Sequence, residues 1–258
     1  MENKIALVCG STSGIGKACA FKLAADGYKI VLVGRNQEKL RETCEALENS
    51  FGKQPPFLVA DFSFPEQVKS TIEAWVKEGN TASVLVNNTG GPKSGPIVAA
   101  APQEFLDAFN QHLICNHILM QALLPGMKLQ NFGRIINIIS TSVKQPLPNL
   151  GVSNTIRGAV ASWSKTLATE VAPFGITVNN VLPGATNTPR LGEIAAVRAS
   201  KTGESVAEIL HEMGEESPMQ RIATTEEVAA AVGFLASASA SYINGINMPV
   251  DGGRTKSL

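Results

Sequence analysis

Seven short apolar runs, with helical stretches between them for most of the length, constrain this chain more than any other feature. They read "KIALVCG", "KIVLVG", "PFLVAD", "SVLVNN", "GRIINII", "GITVNNVLP" and "GINMPV". Each is apolar throughout rather than alternating, the pattern of a strand covered on both faces of a parallel sheet. Helical stretches fall at about 14–26, 37–50, 65–79, 102–129, 152–171 and 225–238. Pro65-Glu66-Gln67 opens one of these, and Thr224 with Glu227 three residues on has the form of a capping box. Alternation of this kind uses right-handed crossovers. The expected fold is α/β, a single Rossmann-like doubly wound parallel sheet of about seven strands with helices on both faces.

The 258 residues form one expected domain, 1–258, without linker, repeat or low-complexity tract. Apolar residues make up 44% and charged residues 17%, as helices packed on both faces of a buried sheet require. Lys plus Arg equals Asp plus Glu at 22 each, and the charges are dispersed, so neither nucleic acid nor an anionic membrane is an expected partner. The first apolar run, Ile5 to Cys9, is strand length and follows Glu2 and Lys4, unlike a signal peptide or a membrane span. Cys9, Cys19, Cys44 and Cys115 have no paired spacing and read as reduced packing residues of a cytoplasmic protein, with no metal site. Residues 186–222 break the rhythm and are expected to be a lid or substrate-binding loop.

"VCGSTSGIGKACAFKLA" places Gly10, Gly14 and Gly16 between the first strand and the first helix. A glycine at the strand end permits the tight turn; the next two let main chain approach a pyrophosphate and let helix pack on sheet. Free N–H groups and the helix dipole then hold phosphates, which makes Ser11, Thr12, Ser13 and Ile15 further cofactor-binding candidates. After the second strand, Gly34 stands where an acidic residue would bind both ribose hydroxyls of NAD. Arg35, next to Asn36, has a planar fork suited to a 2′-phosphate, so NADP(H) is favoured over NAD(H).

The spacing G-x-x-x-G-x-G resembles that of the short-chain dehydrogenase/reductase family, and other motifs fit it. "VNNTG" resembles its Asn-Asn-Ala-Gly, with Thr89 in place of alanine, and "LPGATNTP" resembles its Pro-Gly loop. "SPMQRIATTEEVAAAVGFLAS" and "INGINMPVDGG" are similar to the C-terminal region of 3-oxoacyl-[acyl-carrier-protein] reductases. The resemblance implies that Asp61 and Phe62 neighbour adenine and that Asn88 and Gly90 contact the adenosine side. It also implies that Pro183, Gly184, Thr186 and Thr188 lie along the nicotinamide and phosphates. A homotetramer or homodimer is implied too, with helices 102–129 and 152–171, and Trp163, at the contact.

The family's active site combines asparagine, serine, tyrosine and lysine. The corresponding positions are His112, Ser140, Ser153 and Arg157, so only the serine is kept. A serine hydroxyl is a far weaker acid than a phenol and lacks its reach, which removes Ser153 from the tyrosine's role. Arg157 stays protonated, cannot relay protons, and can hold ribose hydroxyls while stabilising a developing alkoxide. His112 is expected to titrate near neutrality and to feed a proton through water from behind Arg157. The favoured expectation is an NADP(H)-dependent reductase of a small-molecule carbonyl, or oxidant of the alcohol, with an atypical proton supply. A 3-oxoacyl thioester is one candidate substrate. The alternative is a catalytically degenerate NADP(H)-binding sensor or assembly partner. Enoyl reduction ranks last, because neither Tyr28 nor Tyr242 falls near the site.

Overall fold

The computed structural model describes residues 4–257. Its strands are β1 (Ile5–Cys9), β2 (Lys29–Gly34), β3 (Phe57–Val59), β4 (Val84–Asn87), β5 (Gly133–Ile138), β6 (Ile176–Pro183) and β7 (Asn247–Val250). Each coincides with one of the apolar runs. All pair in parallel in the order β3-β2-β1-β4-β5-β6-β7. Strand order reverses between β1 and β4, so the crevice for a ligand opens at their carboxyl ends.

Two cores explain the unbroken apolar runs. Ala6 and Val8 of β1 face α1 (Gly14–Ala25), α2 (Gln37–Phe51) and α9 (Thr225–Ala236), through Leu23, Leu40 and Val232. Leu7 and Cys9 face the other way, toward α3 (Pro65–Lys77), α5 (Cys115–Leu129) and α6 (Gly151–Val171), through Ile72, Leu119 and Leu167. Burying one such aliphatic side chain contributes about 1.5–3 kcal/mol, so both faces must stay apolar. The start signals hold: Pro65 is in the first turn of α3, and Thr224 with Glu227 forms the capping box of α9. All four cysteines are free and buried. Among the described residues no helix is long and apolar enough to cross a membrane.

Two stretches differ from expectation. The helix expected over 102–129 is α4 (Pro102–Phe109) and α5 joined by a π-helical turn, Asn110–Ile114. Such single-turn bulges have no residue signature, since they arise from backbone accommodation around a site. Residues 186–222, read as a loop, contain α7 (Pro189–Thr202) and α8 (Val206–Glu215). Thr188 caps α7, Pro189 fills its first turn, left-handed Gly203 ends it, and Ser205 with Glu208 boxes the start of α8. Those residues are the ordinary start and stop signals of helices.

Candidate active site

The glycine loop has the geometry that its composition requires. Gly10 and Gly14 adopt φ of +58° and +51°, a region that residues with a Cβ rarely occupy. A Cβ on Gly16 would overlap the Gly10 carbonyl oxygen, so helix and turn touch only because that position is glycine. Asn88 fixes the turn from β4, its Nδ2 donating to the carbonyls of Cys9 at 3.3 Å and Gly10 at 3.4 Å. Buried Ser11 donates through Oγ to the Val33 carbonyl at 3.3 Å and binds the loop to β2. Thr12 leans toward Gly34, and Ile15 packs its side chain on the core, which leaves main chain as what it offers a ligand. Ser13 stands at the N-cap of α1 without a side-chain capping bond, so the first-turn N–H groups keep their donors for another acceptor.

At the far end of this edge Arg35 is exposed, and among the described residues no ion pair engages it. Asn36 caps α2, accepting from the Lys39 N–H at 3.0 Å. Asp61 accepts from the Ser63 N–H at 2.9 Å. Phe62 is buried with its side chain in the core against α3 and α5, and its carbonyl accepts from the Cys115 thiol. Gly90 is exposed above the crevice.

On the opposite wall Pro183 ends β6, and the Gly184 N–H donates to the Val250 carbonyl at 2.9 Å. Buried Thr186 donates back to the Gly184 carbonyl at 3.1 Å. Thr188 caps α7, and its Cγ2 lies 3.1 Å from where a Cβ on Gly14 would stand. The amino ends of α1 and α7 therefore meet over the mouth of the crevice.

The four positions expected to be catalytic stand after β5 (Ser140), on α6 (Ser153 and Arg157) and in the π-helical turn (His112). Ser140 follows β5 and accepts from the Ser142 N–H at 3.1 Å, which leaves its hydroxyl hydrogen available to a substrate oxygen. Ser153 is half-buried on the first turn of α6. Four residues on, Arg157 is 8% exposed, donates through Nη1 to the Ile138 carbonyl at 2.9 Å, and has no partner at Nε among the described residues. Burial, then the charge of Arg190, brings its pKa down to about 10, which still leaves it cationic at neutral pH.

His112 lies inside the π-helical turn, buried, with Nδ1 2.6 Å from Thr89 Oγ1 and no partner at Nε2 among the described residues. The expectation that it titrates near neutrality is wrong. Burial first, and the Arg157 cation second, hold its pKa well below 6.5, while the Gly90 main chain acts the opposite way. A neutral imidazole is what the fold stabilises. Both tyrosines are elsewhere: Tyr28 precedes β2 and donates to the Ala236 carbonyl at 2.7 Å, and Tyr242 is fully exposed ahead of β7. They belong to the amino edge of the sheet, opposite the crevice.

Two features escape sequence reading. Asn87, Asn137, Asn180 and Asn247 occupy paired registers of β4, β5, β6 and β7. Their amides bond in series at 2.8, 3.0 and 2.8 Å, with Ser164 of α6 bonded to the middle pair. Asparagine is unusual in a buried strand, and that was the signal available. Arg190 is the other. It lies in a segment read as loop, and nothing local marked it.

Parallel strands, a glycine turn at the order reversal and a polar cluster at the carboxyl edge define a dinucleotide-type oxidoreductase site. Comparison with known proteins sharpens the class. Residues 10–255 match the family described as Enoyl-(Acyl carrier protein) reductase. Short-chain reductase protein NovJ of Streptomyces niveus is 32% identical over 255 residues, covering 98% of this chain and 94% of that protein. The 3-oxoacyl-[acyl-carrier-protein] reductase FabG of Haemophilus influenzae is 34% identical, covering 98% of each. The crystal structure of L-sorbose reductase from Gluconobacter frateurii, complexed with NADPH and L-sorbose, superposes with a TM-score of 0.93. It is 34% identical, with 100% of this chain and 98% of that one covered. The chain belongs to the short-chain dehydrogenase/reductase family, and is an oxidoreductase acting on carbonyl or hydroxyl groups.

Proposed function

We propose that this protein reduces a small-molecule ketone with NADPH, using solvent rather than a side chain as the proton source. The observation that carries the reading is the buried, cationic Arg157 beside Ser140, at the end of an intact glycine cradle. A chain that had only to keep its fold would gain stability by replacing a buried cation that has no carboxylate partner.

The donor set suits the dinucleotide. Unbonded first-turn N–H groups of α1 meet the diphosphate, Arg35 the 2′-phosphate, and the free N–H groups of Arg157 the nicotinamide ribose. L-sorbose reductase, similar over its whole length, was crystallised with NADPH, which supports the same choice here. When bound, NADPH supplies a hydride to the carbonyl carbon. Ser140 donates to the carbonyl oxygen, and Arg157 holds the negative charge that develops there. Water provides the proton that completes the alcohol, because Ser153 is too weak an acid and His112 is neutral. Residues 186–222 cover the crevice as the substrate-binding segment, and copies assemble through α5 and α6 around Trp163.

The second reading, a sensor or assembly partner that binds NADP(H) without turnover, is favoured by the position of both tyrosines at the wrong edge of the sheet. NADPH oxidation with a panel of β-ketoacyl thioesters, quinones and small ketones separates the two. Turnover lost in Ser140→Ala, and in Arg157→Ala with cofactor still bound, supports the reductase. Tight NADPH binding with no turnover across the panel supports the sensor.

A further inference from the structure

Arg190 lies outside the sequence motifs, yet it closes over the catalytic cluster. It stands in the first turn of α7, two residues after Thr188. Its Nη2 donates to the Pro92 carbonyl at 2.5 Å, and its guanidinium runs along Gly91, where a Cβ would come within 3.5 Å of Nε. The segment after β4 and the start of α7 are thus joined across the crevice by this side chain. Its carboxylate neighbour is Glu193 at 3.3 Å, a pair in which Glu193 is two-thirds exposed and screened by solvent.

On the inner side Arg190 faces another cation. Its charge is the second cause, after burial, of the lowered Arg157 pKa. No ion pair engages Arg157 among the described residues, and its Nε is buried without a partner. A chain of zero net charge therefore holds Arg190, in the first turn of a 14-residue helix, near enough to buried Arg157 for the two charges to interact. Arg190, partly exposed, and buried Arg157 repel one another, and an anion bound beside them offsets that repulsion. The planar fork of arginine matches a carboxylate in two hydrogen bonds. The cofactor's diphosphate has the amino end of α1 as its expected cradle, whereas Arg190 is anchored over the Gly91–Pro92 segment.

We infer that the substrate is a keto acid, its carboxylate gripped by Arg190 while its carbonyl lies against Ser140 and Arg157. This rests on the reductase reading of the same cleft.

The test is calorimetric titration of NADP+-loaded protein with two pairs of probes: pyruvate against methyl pyruvate, and acetoacetate against methyl acetoacetate. Wild type and Arg190→Gln are compared, and the NADP+ affinity of each is measured in parallel. The expected result is that an acid binds wild type at least about tenfold more tightly than its ester. In Arg190→Gln that preference disappears while NADP+ affinity is unchanged. Equal affinity for acid and ester, no binding of any probe, or a preference retained in the variant overturns the inference. Loss of NADP+ affinity in Arg190→Gln also overturns it, since the anion is then the cofactor's diphosphate. NADPH oxidation by the esters, with no acid preference, leaves the reductase reading standing and removes only the keto-acid assignment. Acid preference lost in Arg190→Gln, but with no NADPH oxidation by any probe, overturns the reductase reading and leaves Arg190 as the carboxylate site of a bound acid rather than of a substrate.

Discussion

Thr89 Oγ1 and His112 Nδ1 lie 2.6 Å apart, and that bond joins the exit of β4 to the π-helical turn. His112 in turn feels the charge of Arg157 on α6. Thr89, His112 and Arg157 are thus one physical unit. His112 stays neutral in the folded state because burial and Arg157 oppose its charge. Below about pH 6.5 an unfolded chain binds a proton here that the folded chain refuses, so stability falls as pH drops. Thermal unfolding of wild type from pH 7.5 to 5 is expected to show that loss, approaching about 1.4 kcal/mol per pH unit for one proton. In His112→Asn the slope is expected to be smaller by that one proton.

Ser153 is the residue expected at the family's tyrosine position, and its hydroxyl lacks a phenol's acidity. Ser153→Ala is expected to change kcat by less than about threefold, since no proton passes through the hydroxyl. Ser153→Tyr installs a phenol on the same turn of α6, and kcat at neutral pH is expected to rise by about 10- to 100-fold, within the range of a positioned general acid. Steady-state NADPH oxidation measures both. A large loss in Ser153→Ala would make Ser153 the acid.

The sheet and the glycine loop were legible because their requirements are local. An apolar run between helices admits few placements, and the positions of Gly10, Gly14 and Gly16 reject any side chain in this turn. The surroundings of His112, Ser153 and Arg157 single them out in the sequence, but nothing there gives the proton state of His112. That depends on burial and on a cation contributed by another helix, neither of which is a property of residues 110–114. The π-helical turn carrying His112 was hidden for a related reason, since its cause is packing around a site. Arg190 was hidden differently: its partner, the Pro92 carbonyl, lies 98 residues away in sequence.

The asparagine series under the cleft carries a stability prediction. Asn137 is fully buried and bonds to Asn87, Ser164 and Asn180. Asn137→Leu leaves several of those groups buried without partners, and a loss of about 3 kcal/mol in urea unfolding is expected. A loss below about 1 kcal/mol would mean that the ladder repairs itself around the gap.

The proposed preference for NADPH rests on exposed Arg35. Arg35→Ala is expected to weaken NADPH by about tenfold or more, the scale of one charge-assisted phosphate contact, and to leave NADH within about twofold. Equal losses for both would reassign Arg35 to the shared part of the dinucleotide.

Calorimetric titration of the purified protein with NADPH and NADH, with Gly16→Ala alongside, tests the cradle itself. The expected result is saturable heat with NADPH, at least about tenfold tighter than with NADH, and loss of binding in Gly16→Ala. No heat with either nucleotide, in protein shown to be folded, would contradict it.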